Sequence, residues 1–354
     1  MKIKLAILEK DKSYLSRIVA AFGARYSDKL EIYSFTDYEV ALSCLNDAKI
    51  DVFIAADSFD VEVEKLPRRC GFAYFVDFAG IETVNNQIAI CKFQKADLIY
   101  KQILSIYSEN AGNVSGLKLN DEACRVVAFT SPSGGTGSST MAAACAMRYA
   151  AQGKKVLYLN LEKFGSADCF FKAEGQFDMS DVIFALKSKK TNLSLKLESC
   201  VRQDHCGVFF FAPAKLALDM LELGAEEINR LLSELEVTGS YNCIVLDLDF
   251  ALSKDMLSIY RQAHGIAVVG DGSDISNAKI ARAFAALSTM EQKQDAPLHS
   301  RMSLIYNKFS NKSSKAMGDI GLRNIGGAPR FEHASTEQIM NQLSTLDAFD
   351  KIIG

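Results

Sequence analysis

The sequence predicts an α/β protein made of two open, mostly parallel sheets, each covered by helices. Three observations predict it. Short apolar, strand-like runs alternate with helical runs along the chain. A polar, Gly- and Asn-rich stretch from Ser108 to Asp121 interrupts that alternation. The apolar run from Val126 to Thr130 leads through a glycine turn into a helix of small residues. At 354 residues the chain is long enough for two domains, and 49% apolar content with 22 Phe suffices for two cores. The expected boundaries are a first domain over 1–108, a linker over 109–122 and a second domain over 123–354.

Composition removes several classes of function. No run of about 18 apolar residues exists to span a bilayer, and the opening Met1 to Glu9 is too short and too soon acidic for a signal peptide. A cytoplasmic protein is expected. The 9 cysteines are an odd number without a C-x-x-C pair, which argues against a disulfide framework or a zinc site. A net charge of −3 gives no global pull toward nucleic acid or anionic lipid. The short basic clusters Lys187 to Lys190 and Lys308 to Lys315 read as solvated loops rather than DNA-binding patches.

In the first third, strand-like runs fall at Ile3 to Leu8, Leu30 to Phe35, Val52 to Ala56, Phe72 to Val76 and Ile88 to Ile90. Helical runs fall at Leu15 to Phe22, Val40 to Leu45 and Leu98 to Tyr107. In the second domain, helices are expected over Met141 to Ala151, from Ser180 as a cap, over Glu222 to Leu235 and over Asp274 to Met290. Strands are expected over Val156 to Leu161, Gly207 to Ala214, Asn242 to Asp249, Gly265 to Gly270 and Met302 to Lys308.

The chemistry centres on Val126 to Thr140, which has the layout of a phosphate-binding loop. Gly134, Gly135 and Gly137 let the backbone approach a polyphosphate with its N–H groups inward, and the helix opening at Ser138 adds its positive dipole end. A dinucleotide fingerprint does not fit, because Thr140 stands where a third glycine would be needed. The apolar run that ends at Asp247 and Asp249 has the layout of a metal-holding strand. If it runs parallel to the loop strand, Asp247 reaches the same sheet edge as the hydroxyl of Ser139, where Mg²⁺ would sit.

The glycine spacing, the Ser139–Thr140 hydroxyl pair, the Ala-rich helix and the run Gly153 to Leu159 resemble the MinD/ParA class of P-loop ATPases, and within it the TadZ/CpaE branch of pilus-assembly localisation proteins. The strand ending Ala212-Pro213 favours that branch. The resemblance implies a P-loop NTPase domain with a mostly parallel sheet that binds ATP and Mg²⁺. Gly134, Gly135, Thr136, Gly137, Ser138, Ser139 and Thr140 would cradle the phosphates. Ser139 and Asp247 would hold the metal, and Glu162 and Asp249 would be the carboxylates able to orient water. Asn307, paired with Lys308, would read adenine, and the segment with Pro329 and Phe331 would pass over the base. The chain departs from the pattern in four places: Ser133 and Ser138 replace both loop lysines, Asn160-Leu161-Glu162 replaces Asp-x-Asp, and Phe331 replaces an acid. In the family the lysine at the position of Ser133 reaches across a dimer to the partner's phosphates, so very slow hydrolysis is expected.

Residues 1–108 resemble a response-regulator receiver, a flavodoxin-like fold. Glu9 and Asp11 follow the first strand, Asp77 follows the fourth, and Lys92-Phe93 stands where Lys-Pro-Phe is usual. The position of the phosphorylated aspartate falls on Ala56, and Asp57 lies one residue later, on the other face of the pleat. The expectation is a pseudo-receiver that docks partners, the alternative a phosphoacceptor that uses Asp57. The segment Thr336 to Gly354 sets Glu337, Asp347 and Asp350 against Lys351, so an anionic bilayer would not attract it. Recruitment to a pole or membrane would come from protein partners.

The reading is a Tad-type pilus-assembly scaffold in which Mg-ATP is a structural ligand of a homodimer, with neither specific nucleic acid nor direct membrane insertion. A cycling MinD/ParA-type ATPase and a nucleotide-free scaffold stay open as alternatives.

Overall fold

The computed structural model describes residues 2–110, 124–188, 191–291 and 297–353. The expected linker therefore lies outside the described residues from 111 onward, as do Lys189 and Lys190 of the first basic cluster. Contacts divide the chain into two compact units, Met1–Ser115 with Ser188–Cys200, and Gly116–Lys187 with Val201–Gly354.

The first unit runs β1 (Ile3–Leu8), α1 (Lys12–Arg25), β2 (Leu30–Phe35), α2 (Tyr38–Asp47), β3 (Val52–Ala56), β4 (Gly71–Val76), β5 (Thr83–Val84), β6 (Gln87–Cys91) and α3 (Ala96–Asn110). The sheet order is β2-β1-β3-β4-β6-β5, parallel throughout except for the β5–β6 hairpin. Asp11 and Asp37 cap α1 and α2 by accepting backbone N–H bonds, as short acids at helix starts do. The hairpin is closed by Asn85 and Asn86, both at positive φ (50° and 61°), the backbone a tight primed turn requires and asparagine tolerates.

The second unit runs β7 (Arg125–Thr130), α4 (Ser138–Ala151), β8 (Val156–Asn160), α5 (Ala167–Phe170) and α6 (Met179–Lys187). After α7 (Leu193–Cys200) come β9 (Arg202–Gln203), β10 (Phe209–Phe210), α8 (Ala217–Leu221), α9 (Ala225–Thr238), β11 (Cys243–Asp247), α10 (Lys254–Gln262), β12 (Gly265–Gly270), α11 (Asp274–Glu291), β13 (Met302–Phe309), β14 (Arg323–Pro329) and α12 (Thr336–Leu343). The order is β14-β13-β12-β7-β11-β8-β10-β9, with only β9 antiparallel. Three details differ from expectation. Asp178 rather than Ser180 accepts at the start of α6, the helix expected over Glu222 to Leu235 begins at Ala225 and runs on to Thr238 as α9, with the short α8 before it, and Gly207 to Ala214 shrinks to the two residues of β10.

The helix α7 belongs to the first unit. It packs on α3, where the Lys196 ammonium donates to Ser105 Oγ at 2.6 Å and Lys29 pairs with Glu198 at 2.6 Å. The second domain is thus not contiguous in sequence.

The core that positions the site lies between α4 and the sheet. Met141 to Ala146 are fully buried, and their small side chains let the helix lie close to β7, β8 and β11. The C-terminal segment fills the same core from outside. Met340, Leu343 and Phe349 are buried in it, the Phe349 ring meets Phe129 edge-on at 6.0 Å, and Tyr149 Oη donates to Phe349 O at 2.8 Å. Arg148 pins this segment through Asp347 and Asp350. Its apolar side is thereby spent on the fold, and no described helix is long and apolar enough to cross a membrane. Phe349→Ala should cost about 3–5 kcal/mol of stability, read as a shift of the urea midpoint of the full chain. A loss under about 1 kcal/mol would mean that the segment is not part of this core.

Candidate functional site

Three parallel strands deliver the site to one sheet edge. Asp247 ends β11, in register with Phe129 of β7 on one side and Asn160 of β8 on the other. Tyr158 lies two residues before Asn160 and so shares its face of the pleat. The consequence is a cluster around one buried acid. Asp247 is 0% exposed, and its Oδ2 accepts from Tyr158 Oη at 2.7 Å and from Asn160 Nδ2 at 2.9 Å. Asn160 Nδ2 also reaches Glu162 Oε2 at 3.0 Å, and Ser139 Oγ donates to Glu162 Oε1 at 3.1 Å.

The electrostatics follow from this burial. Loss of water, and secondly the neighbouring charge of Glu162, push the Asp247 carboxyl up to about 8. Burial and the charge of Asp247 hold the Tyr158 phenol well above its ordinary value, so it stays a donor. A carboxylate at position 160 would add a third negative group here, whereas the amide of Asn160 donates to both acids. Asn160 is therefore a working part of this cluster.

The arrangement fits Mg²⁺. Asp247 Oδ1 makes no hydrogen bond among the described residues, and Ser139, with its proton directed at Glu162, keeps lone pairs for a cation. One carboxylate and one hydroxyl are a hard-oxygen set of the kind Mg²⁺ uses when waters and phosphates complete its shell. No group of three or more His, Cys, Asp or Glu that could hold a metal by itself occurs among the described residues.

The loop before α4 is braced from two sides. The Ser131 hydroxyl sits 2.9 Å from Ser133 O and 2.6 Å from Val269 O, tying the loop start to β12. At the far end Asn307 Nδ2 donates to Thr136 O at 2.9 Å, and Lys308 Nζ donates to Gly135 O at 2.8 Å. Gly135 and Gly137 lie at φ 79° and 84°, and a Cβ on Gly137 would come within 2.5 Å of Asn307 Nδ2, so that position requires glycine on both counts. Ser138 and Thr140 stand in the first turn of α4. The side-chain oxygens of Thr136 and Ser138 are buried and have no hydrogen-bond partner among the described residues.

The remaining expected residues fall as follows. Gly134 is exposed in the loop. Asp249 is exposed, and its Oδ2 accepts from Lys163 N at 3.0 Å, next to Glu162 but outside the hydrogen-bonded cluster. Asn307, expected at the adenine edge, is 3% exposed and turned onto the loop backbone. Pro329 closes β14 opposite Phe309, and Phe331 packs partly on the core. Sequence reasoning missed Tyr158 and Ser131. Strand alternation from Asn160 could have found the first.

In the first unit Lys92 Nζ pairs with Glu9 at 2.8 Å and with Asp77 at 3.0 Å. Burial opposes its charge, but the bonds to Glu9 and Asp77 outweigh it and hold the ammonium above its ordinary value. Asp11 caps α1 instead of joining them. Ala56 is buried, and Asp57 begins the exposed stretch after β3.

A family model described as a TadZ-like receiver domain matches residues 1–108. The first domain is TadZ-like. A search of curated proteins returned no match. Among solved structures, a ParA family ATPase from Chlorobium tepidum TLS aligns with TM-score 0.52 at 19% identity, over 65% of this chain and 96% of that one. The MinC:MinD cell division protein complex from Aquifex aeolicus aligns at 0.48 and 18%, over 65% and 92%. The septum site-determining protein MinD complexed with Mg-ADP from Pyrococcus horikoshii OT3 aligns at 0.48 and 14%, over 65% and 99%. Behind the TadZ-like domain, then, stands a unit with the fold of the ParA family ATPase.

The Asp247 carboxyl makes a pH-dependent signature. Its folded value lies above the ordinary 3.8, so the folded metal-free protein holds a proton that the unfolded chain releases. Stability should be lost as pH rises from about 4 toward 8, at up to roughly 1.4 kcal/mol per pH unit from this group. Asp247→Asn should flatten that part of the profile in urea titrations. Equal slopes for the two proteins would refute the buried, protonated carboxyl.

Proposed function

We propose that this chain is an ATP-binding localisation scaffold of Tad-type pilus assembly, in which Mg-ATP holds a homodimer together and is hydrolysed very slowly or not at all. The observation that carries the reading is the pairing of a TadZ-like receiver domain with a ParA-type fold that keeps a hydroxyl at Ser139 of α4 and a carboxyl at Asp247 of β11 for Mg²⁺ but has serine at 133 and 138.

Each group has a definite part. The N–H groups of Gly134 to Thr140 and the start of α4 bind phosphate oxygens. Ser139 and Asp247 hold Mg²⁺, which when bound neutralises phosphate charge. Glu162 accepts the hydrogen bond of the Ser139 hydroxyl and, with Asp249, is assigned here to orienting water. Asn307 fixes the loop backbone beside the nucleotide, and the segment with Pro329 and Phe331 stands next to the end of β13. In the TadZ-like domain the lysine–acid cluster occupies the place where phosphoryl chemistry would need a free acidic pair, so this domain serves as the docking module for pilus-assembly partners.

Losing the loop lysine removes a charge-assisted bond and weakens ATP binding by about ten- to hundredfold relative to lysine-bearing loops. Losing the lysine that would act across the dimer removes a charge of the kind worth on the order of 10³ to 10⁵ in rate. Mg-ATP should therefore raise the melting temperature and shift monomer to dimer in sedimentation, with phosphate release far below that of a Ser133→Lys, Ser138→Lys double variant. Absence of any shift at millimolar Mg-ATP would leave a nucleotide-free scaffold. Brisk turnover by the unaltered protein would make it a cycling ATPase.

A further inference from the structure

The loop between β7 and α4 has no cation of its own, yet one reaches it from another strand. Lys308, the next-to-last residue of β13, has φ 55°, a left-handed backbone that a residue with a Cβ adopts at a cost. That turn carries its side chain across to the loop, where Nζ sits 2.8 Å from Gly135 O and Cε lies 3.5 Å from where a Cβ of Gly137 would be. Its neighbour Asn307 is locked beside it onto Thr136 O. Thr136 is itself 1% exposed with an unpartnered hydroxyl. Lys163, which the chain order places nearer the site, is unsuited: its ammonium is bound to Met220 O and Leu223 O.

We infer that Lys308 supplies, from the end of β13, the positive charge that the loop lacks, and pairs with the polyphosphate of the bound nucleotide. The inference rests on the nucleotide-binding reading above and extends it to a specific residue. An ammonium has three donors. One is used on Gly135 O, and the others are available to phosphate oxygens held over the loop. The bond to Gly135 sets the ammonium at the middle of the loop before any ligand arrives. The strained backbone of Lys308 is then explained by its task, since an extended residue at this point would continue the strand away from the loop.

The test is equilibrium binding of ATP and of adenosine to the full chain, with Mg²⁺, for the unaltered protein, Lys308→Ala and Lys308→Arg. Lys308→Ala should weaken ATP by about ten- to hundredfold, the worth of one charge-assisted bond, and adenosine by less than about twofold. Lys308→Arg should restore most of the affinity. Amine-reactive labelling of the unaltered protein gives a readout without any substitution: ATP and inorganic triphosphate should protect Lys308, adenosine should not. ATP binding by Lys308→Ala equal to that of the unaltered protein overturns the inference while leaving the nucleotide reading intact. So does a parallel loss of ATP and adenosine affinity, which would mark Lys308 as a brace of the loop only. If the unaltered protein binds no ATP at millimolar concentration, both fall together.

Discussion

Burial of the Asp247 carboxyl at the end of a fully covered strand is the constraint on which the second unit depends. A carboxyl group without water is tolerated only if donors replace the water or a proton replaces the charge. Both occur here. Tyr158 and Asn160 donate from the neighbouring strand, and the acid keeps its proton to about pH 8. That solution works only with β7, β11 and β8 parallel and in register, because one residue of slip would turn Tyr158 and Asn160 to the opposite face. The same register brings the loop, Glu162 and Ser139 to the edge where the acid ends. The oxygens gathered there favour positive charge, and the loop favours negative charge, so the two halves of the site are complementary to a metal and a polyphosphate.

Most of the fold was legible in the sequence because buried parallel strands are continuous apolar runs. Ile3–Leu8, Val52–Ala56 and Gly265–Gly270 are buried strands with the bounds their hydrophobicity suggests, and the edge strand Leu30–Phe35, in which only Leu30 is buried, has the expected bounds as well. What escaped has little periodicity to read. The strands β5 and β9 are two residues each, and the strand expected over Gly207 to Ala214 keeps only the two residues of β10, because pairing in such short strands depends on turns and neighbours. Placement of α7 with the first unit is settled by side chains distant in sequence, such as Lys196 with Ser105, which no local pattern encodes. In the site, the residue types and their order were legible, but not what each one touches. Asn307 was identifiable from the resemblance, through the pair it forms with Lys308 at a strand end, whereas its bond to Thr136 O depends on the absence of a side chain at Gly137, far away in the sequence.

The TadZ-like domain puts three worn positions to structural use. Lys92, left without the usual proline after it, neutralises Glu9 and Asp77 at once, and Glu9 Oε1 accepts from the Asp11 backbone N–H at 3.0 Å. Asp11 turns to cap α1. With every acid and the lysine engaged in this way and alanine at the end of β3, the pocket is stabilised by its own charges and does not need a phosphoryl group to balance them. The docking role proposed for this domain needs no phosphoryl switch.

Ser133 is the loop residue on which the proposed slow turnover rests. Across the bend that contains Ser133, the Ser131 hydroxyl accepts from Ser133 N at 3.1 Å and lies 2.9 Å from Ser133 O and 2.6 Å from Val269 O, the two acceptors open to its single proton. The bend turns residue 133 inward to 7% exposure. A lysine acting on a partner's phosphates has to point outward from that position, so the packing that suits serine opposes the lysine's task. Lys308 approaches from within the same chain, at the loop's centre. A charge held there would bind the ground state as well as the transition state, and uniform stabilisation of this kind strengthens binding without speeding the chemical step. The proposed retention of nucleotide with slow turnover would follow from such a distribution of charge: Lys308 at the end of β13, Mg²⁺ at Ser139 and Asp247 when bound, and a buried serine where the charge that acts only in the transition state would have to stand.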